Sequence, residues 1–179
     1  KWPLDIIPRI VLKSKWNKVK KGLIQRSKAL NLFIDDVYNK KRIFKDKIIP
    51  EDIVFKSKNY LKQCEGFSPK RKIWSHISGI DLIRNIRGDF LVLEDNLQVP
   101  SGVSYMLENR MVMSQVFPQI FTRYRVSPIG HYCNRLYHCM HDAIPYQTKN
   151  PHMVVLTPGI YNSAYFEHSF LAQQMGVAL

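Results

Sequence analysis

A chain of 179 residues and 21.0 kDa, 45% hydrophobic and 23% charged, is long and apolar enough for one domain, or one and part of another, around a real core. Collagen-like, low-complexity and disordered classes are excluded, and no run of 18 apolar residues is present to span a membrane. The formal net charge of +13 belongs to residues 1–72, which hold 20 of the 27 Lys and Arg but 7 of the 14 Asp and Glu. Such a basic third is a footprint for nucleic acid only when a recognition motif accompanies it. Here no zinc finger, helix-turn-helix or RNP pattern does, so a lysine-rich solvated helix is expected and nucleic acid is not an expected partner. The opening KWPLDIIPRI has no charged segment followed by an apolar one and does not read as a signal peptide. It also lacks an initiator Met, as expected of a chain that starts inside a longer protein. Cys64, Cys133 and Cys139 are too few and too scattered for a disulfide framework, which points to a reducing, cytoplasmic setting.

In chain order, Trp16, Val19, Leu23, Leu30, Ile34 and Val37 mark one face of a helix over 16–39, with Ser14 as its expected N-cap. Pro50-Glu51-Asp52 reads as the first turn of a second, short helix. Phe67-Ser68-Pro69 then breaks the pattern, and a boundary is expected near residue 70. Residues 73–83 and 90–96 read as strands around the polar turn Asn85–Asp89. Apolar residues on both faces predict a sheet covered on both sides. Pro100-Ser101-Gly102 ends the second strand and opens a helix to about Phe117; residues 131–144 read as another. Met153–Thr157 reads as a strand, Pro158–Asn162 as a tight loop, and Ser163–Met175 as a helix closed by Gly176. A strand, loop and helix in this order need a following parallel strand, expected to begin where the chain stops at Leu179. The expected fold is thus α+β to α/β: a basic helical segment (1–70), an antiparallel hairpin sheet (71–126) and the start of an α/β lobe (127–179).

The hairpin carries the chemistry. With the turn centred between Arg87 and Gly88, Asp81 lies opposite Glu94 and Gly79 opposite Asn96. Side chains alternate along a strand, so Asp81, Glu94 and Asn96 share one face while Asp95 points to the other. Facing carboxylates repel unless a cation or shared proton intervenes, and an Asp, Glu and Asn oxygen set suits Mg²⁺ or Mn²⁺. A polar strand end in solvent fits the same spacing. Ser101, Gly102 and Ser104 lie at a strand-to-helix junction, whose unpaired N–H groups suit a phosphate or carboxylate. Asn162 and Ser163 occupy a second such loop, at the carboxyl end of a strand, and are candidates for a substrate carboxylate or phosphate. At both loops simple capping is the competing reading. His131, Cys133, His138, Cys139 and His141 fall on one helix, and only His138 and His141 share a face, which argues against zinc.

The stretches GLIQRSKALNLFIDDVYNKKRI, SGIDLIR…FLVLEDNLQVPSGVSYMLENR and VVLTPGIYNSAYFEHSFLAQQMGV closely resemble the circularly permuted ATP-grasp proteins of type 2, similar in organisation to glutathionylspermidine synthase. The resemblance covers nearly the whole chain. It implies a partial, circularly permuted ATP-grasp fold and an ATP- and Mg²⁺-dependent carboxylate–amine ligase that forms an amide through an acyl phosphate. ATP and Mg²⁺ are the implied cofactors, and a small-molecule or peptide carboxylate and an amine the implied partners. By the same resemblance Asp81, Glu94 and Asn96 match the Asp…Glu-x-Asn set that holds Mg²⁺ on the ATP phosphates, and Ser101 stands at a spacing similar to that of a substrate-contacting serine. The synthase has an Arg two residues before the Asp, where this chain has Gly79. Arg84, Arg110 or the part of the protein outside this chain is then the expected source of the charge that steadies the transferring phosphoryl group. The nucleotide-gripping lysines are expected beyond residue 179. Gly79 also leaves open a different class of function, a binding protein that has lost catalysis and whose basic N-terminal region contacts nucleic acid or an acidic partner.

Overall fold

A computed structural model describes residues 5–144 and 151–179. The chain forms two compact units, one over Val11–Val99 and the other over Pro100–Leu179 together with residues up to Ile10. The boundaries expected at 70 and 126 fall inside these units. The first is displaced because the long helix is tied by side chains to the hairpin that follows it.

In the first unit, helix α1 (Lys13–Tyr38) is followed by the short helices α2 (Arg42–Lys45) and α3 (Glu51–Phe55) and by the hairpin β1 (Gly79–Arg84) and β2 (Phe90–Asn96). Helix α1 starts before Ser14. Leu12 is its N-cap, in extended backbone, and its carbonyl accepts the Trp16 N–H at 2.9 Å. Trp16 is exposed, while Val19, Leu23, Leu30, Ile34 and Val37 are partly or fully covered. Pro50 stands just ahead of α3, at its N-cap. The core of this unit is aromatic. Tyr38 stacks between Tyr60 and Trp74 at 5.1 and 5.0 Å, and Phe55 packs on Phe44 and Tyr60. The hydroxyl of Tyr60 donates to Glu65 at 2.6 Å. Poorly solvated surroundings, then this bond, push Tyr60 up to about 12, and the same bond holds Glu65 below the usual carboxylate range.

Residues 73–78, expected as strand, are loop. The side-chain carbonyl of Asn31 accepts the N–H groups of both Trp74 (2.7 Å) and Ser75 (2.9 Å), diverting that backbone from sheet pairing. Asp35 accepts from the Trp74 indole and from Lys72. Helix α1 meets one face of the hairpin through Arg26 on Asp95 and Lys15 on the Gly88 carbonyl. The other is open: Ile83 is 46% and Leu91 48% exposed, so the sheet is not covered on both sides as its apolar residues predict.

In the second unit, α4 (Val103–Val116) leads through Phe117 into an unexpected helix α5 (Pro118–Tyr124), which begins on Pro at its first position. Helices α6 (Tyr132–Ala143) and α7 (Tyr165–Met175) follow. Gly176, at φ 69°, closes α7: its N–H and that of Val177 return to the carbonyls of Gln173 and Ala172, the Schellman pattern. The strand expected at 153–157 is reduced to one parallel bridge, Val154 with Ala178. The expected parallel pairing is therefore present at its first rung. Phe166 packs on Tyr105 and Phe170, and Cys133, Ala172, Ser104 and Glu167 are buried. No helix among the described residues is long and apolar enough to cross a membrane.

Candidate functional site

Asp81 lies directly opposite Glu94, and Gly79 opposite Asn96. Nearer the turn the pairing is offset by one residue, with Leu82 opposite Val92 and Arg84 opposite Phe90, because a bulge falls between the two registers. Leu93 is the extra residue. Without the bulge, strict alternation would put Glu94 on the same face as Val92, against α1, and turn Asp95 outward instead. The bulge therefore places Glu94 and Asn96 on the Asp81 side. Asn85 fixes the turn: its side-chain carbonyl accepts the N–H groups of Arg87 and Asp89, and Gly88 takes φ 80°.

All three polar residues are solvent-exposed, and the Asn96 amide N–H donates to Glu94 at 3.3 Å. Two carboxylates and an amide oxygen are a hard, oxygen-only donor set, and their exposure leaves room for water or phosphate oxygens to complete a shell. Among the described residues, no three His, Cys, Asp or Glu side chains gather as a metal-binding group, so any cation here needs Asn96 and outside oxygens as well. On the reverse face, Asp95 receives Arg26 of α1 through three contacts of 2.6–2.9 Å. That pair holds Asp95 below its ordinary range.

Arg84 does not join the carboxylates. It sits three residues beyond Asp81, roughly 10 Å along the strand, on the α1 side by alternation, and its guanidinium lies over Phe90. Arg110, in the other unit, donates to the Ser127 carbonyl at 3.1 Å and lies over Phe121.

The junction at Ser101, Gly102 and Ser104 is built otherwise than expected. The Glu167 carboxylate of α7 accepts the Gly102 N–H through both oxygens (2.9 and 2.7 Å) and the Ser104 N–H at 3.3 Å. The anion expected at this helix N-terminus is thus supplied by the chain itself. Ser104 is fully buried and its hydroxyl has no partner among the described residues, so neither its N–H nor its hydroxyl faces a nucleotide in this arrangement. Ser101 and Gly102 are exposed, and the Ser101 side chain makes no capping bond to α4.

Asn162 caps locally, its side-chain oxygen accepting the Ala164 N–H at 2.9 Å, and Ser163 is exposed beside it. Next to this loop the Thr157 hydroxyl accepts the Gly159 N–H and meets His168 Nδ1 at 2.8 Å. Glu167 and His168 were not among the candidates that the sequence offered. The only signal that could have singled them out is their place in the first turn after a tight loop. Burial pushes the Cys133 thiol up, the wrong direction for a nucleophile.

The sequence matches the family description "Circularly permuted ATP-grasp type 2" over residues 8–179. The chain belongs to this family. It is 51% identical over 178 residues to an uncharacterized protein of Synechocystis, covering 99% of this chain and 37% of that protein. It is 46% identical to an uncharacterized protein of Mycobacterium tuberculosis, covering 99% and 32%. A Frankia casuarinae protein named "Putative glutamate--cysteine ligase 2-2" is 36% identical over 179 residues, which is 99% of this chain and 21% of that one. The chain thus spans about a third of the length of the most similar of these curated relatives. The fold is a partial circularly permuted ATP-grasp fold, α+β in class.

Proposed function

We propose that this chain supplies the metal-binding carboxylate face of an ATP-dependent carboxylate–amine ligase. One observation carries the reading: Asp81 and Glu94 face each other across the hairpin with Asn96 beside them, on the open side of the sheet. Membership of the ATP-grasp family and the ligase names of the Frankia relatives support the reaction type. The donors fit Mg²⁺, or Mn²⁺ in its place, and such an ion offsets the charge on the ATP phosphate oxygens when bound. In the reaction, a substrate carboxylate oxygen attacks the γ-phosphorus of ATP and ADP leaves. An amine then attacks the acyl carbon, inorganic phosphate leaves, the amide forms and the amine gives up a proton. Asp81 and Glu94 hold negative charge toward the metal and Asn96 orients Glu94 through its N–H. Ser101 remains accessible for the substrate carboxylate, with Asn162 and Ser163 as a second polar loop. The binding-protein alternative draws on Gly79 and on Arg84 facing the α1 side, since the hairpin then adds no guanidinium to the carboxylate face.

The test is ADP release by the natural full-length protein with Mg²⁺, screening glutamate and short peptides against amines, beside Glu94→Gln. Acceptor-dependent ADP release that the substitution lowers by at least a hundredfold is expected. Turnover unchanged by Glu94→Gln would refute the assignment of the face.

A further inference from the structure

Residue 95 lies between the two β2 residues assigned to the metal face, and its side chain points the other way. There it takes the guanidinium of Arg26 in a two-pronged grip, with Nε at 2.8 and 2.9 Å and Nη2 at 2.6 Å from the carboxylate oxygens. The Asp95 side chain is only 14% exposed, although β2 is otherwise largely open. The bulge at Leu93 lies two residues earlier, where ladder pairing is interrupted and the rotation of the strand about its own axis is least constrained. A planar fork fixes direction as well as distance, which a single ammonium contact does not. We propose that Arg26 is a positioning residue: by gripping Asp95 from behind the sheet, it sets the orientation in which Glu94 and Asn96 meet Asp81 and a divalent cation. This rests on the metal-face reading above.

Other ties hold α1 to the same unit but do not touch β2. Tyr38, the last residue of α1, stacks on Tyr60, whose hydroxyl donates to Glu65 at 2.6 Å. Loosening that junction weakens the unit while leaving the Arg26–Asp95 grip in place. The two substitutions therefore separate positioning from plain stability.

The experiment is Mn²⁺ titration of the full-length protein, following the EPR signal of unbound Mn²⁺, with Glu94→Gln, Arg26→Ala, Arg26→Lys and Tyr60→Phe, and with thermal unfolding of each. Outer partners of metal ligands typically change affinity by 10–100-fold. Arg26→Ala is expected to weaken Mn²⁺ binding about tenfold, at the low end of that range. Arg26→Lys should lose less, and Tyr60→Phe should lower the unfolding temperature with Mn²⁺ affinity unchanged. Glu94→Gln should abolish binding. If Glu94→Gln abolishes binding while Arg26→Ala keeps wild-type affinity, the positioning role is refuted and the metal face stands. Equal losses for Arg26→Ala and Tyr60→Phe also refute it, reducing Arg26 to a stabilising contact. If Glu94→Gln binds Mn²⁺ like wild type, the metal face itself is refuted and the inference falls with it. Should Arg26→Ala fail to fold, Arg26→Lys decides: wild-type affinity in that variant refutes the role, and a partial loss supports it.

Discussion

Replacing Glu167 by Ala removes the carboxylate that closes the N-terminus of α4. In the folded chain that group is 6% exposed and accepts from Gly102 and Ser104. A capping side chain is worth about 1 kcal/mol, and up to about 2 in favourable sites. Hydrogen bonds to a charged partner run to about 1.5–3 kcal/mol, and a buried donor left unpaired costs about 1–3. These figures describe overlapping parts of one interaction, so their sum overcounts; about 2–3 kcal/mol is the expected loss. For a chain of this size that lowers the unfolding temperature by roughly 4–12 °C. Glu167→Gln keeps an acceptor oxygen and gives up the charge, so its loss should be about half as large. Urea unfolding of the three proteins measures the series, and amide exchange at Gly102 and Ser104 locates it. A loss below about 0.5 kcal/mol for Glu167→Ala, the scale of an ordinary surface substitution, would refute the capping role.

Ser104→Ala removes a buried hydroxyl that has no partner among the described residues, and should leave stability unchanged or raise it by up to about 1 kcal/mol in the same urea assay. Tyr60→Phe tests the pair with Glu65. Because Tyr60 is raised from 10.0 to about 12, its contribution is full below pH 10 and is lost as the pH rises toward 12. Because Glu65 is lowered, its contribution is full above the ordinary carboxylate value and is lost as pH falls through the lowered one. The substitution should flatten both limbs of a plot of unfolding midpoint against pH. Gly176→Ala meets open space but keeps a φ of 69°, so backbone strain alone should cost about 1 kcal/mol by thermal unfolding.

Alternation alone put Glu94 and Asn96 on one face from sequence. The pairs nearest the turn, however, centre on Arg87 and not between Arg87 and Gly88, and it is the bulge that restores Asp81 to its place opposite Glu94. The bulge at Leu93 was not legible: no Gly or other local signal marks it, and the pairing near the turn is offset in consequence. Residues 73–78 misled for a related reason. Their apolar pattern suits a strand, but Asn31, more than 40 positions away, takes the N–H groups that a strand partner would need. Gly176 and its cap were readable because one residue type and one backbone conformation decide them. Glu167 was not, because a carboxylate in the first turn of one helix gives no sign that it closes another helix some 65 residues earlier. Long-range polar contacts leave no periodicity, and here they account for the loop at 73–78 and for the closure of α4 by Glu167.

The grip of α1 on the rest of its unit also sets an order of events during folding. The hairpin closes through a loop of a few residues fixed by Asn85, whereas Arg26 reaches its partner 69 positions later and Lys15 reaches the Gly88 carbonyl 73 positions later. Closing a segment of that length costs roughly 2 kcal/mol more chain entropy than closing the hairpin turn. Helix and hairpin can therefore appear early and independently, on the microsecond scale of such elements. Their docking has the longer segments to close, and until it happens Asp95 behind Glu94 and Asn96 has no guanidinium on it.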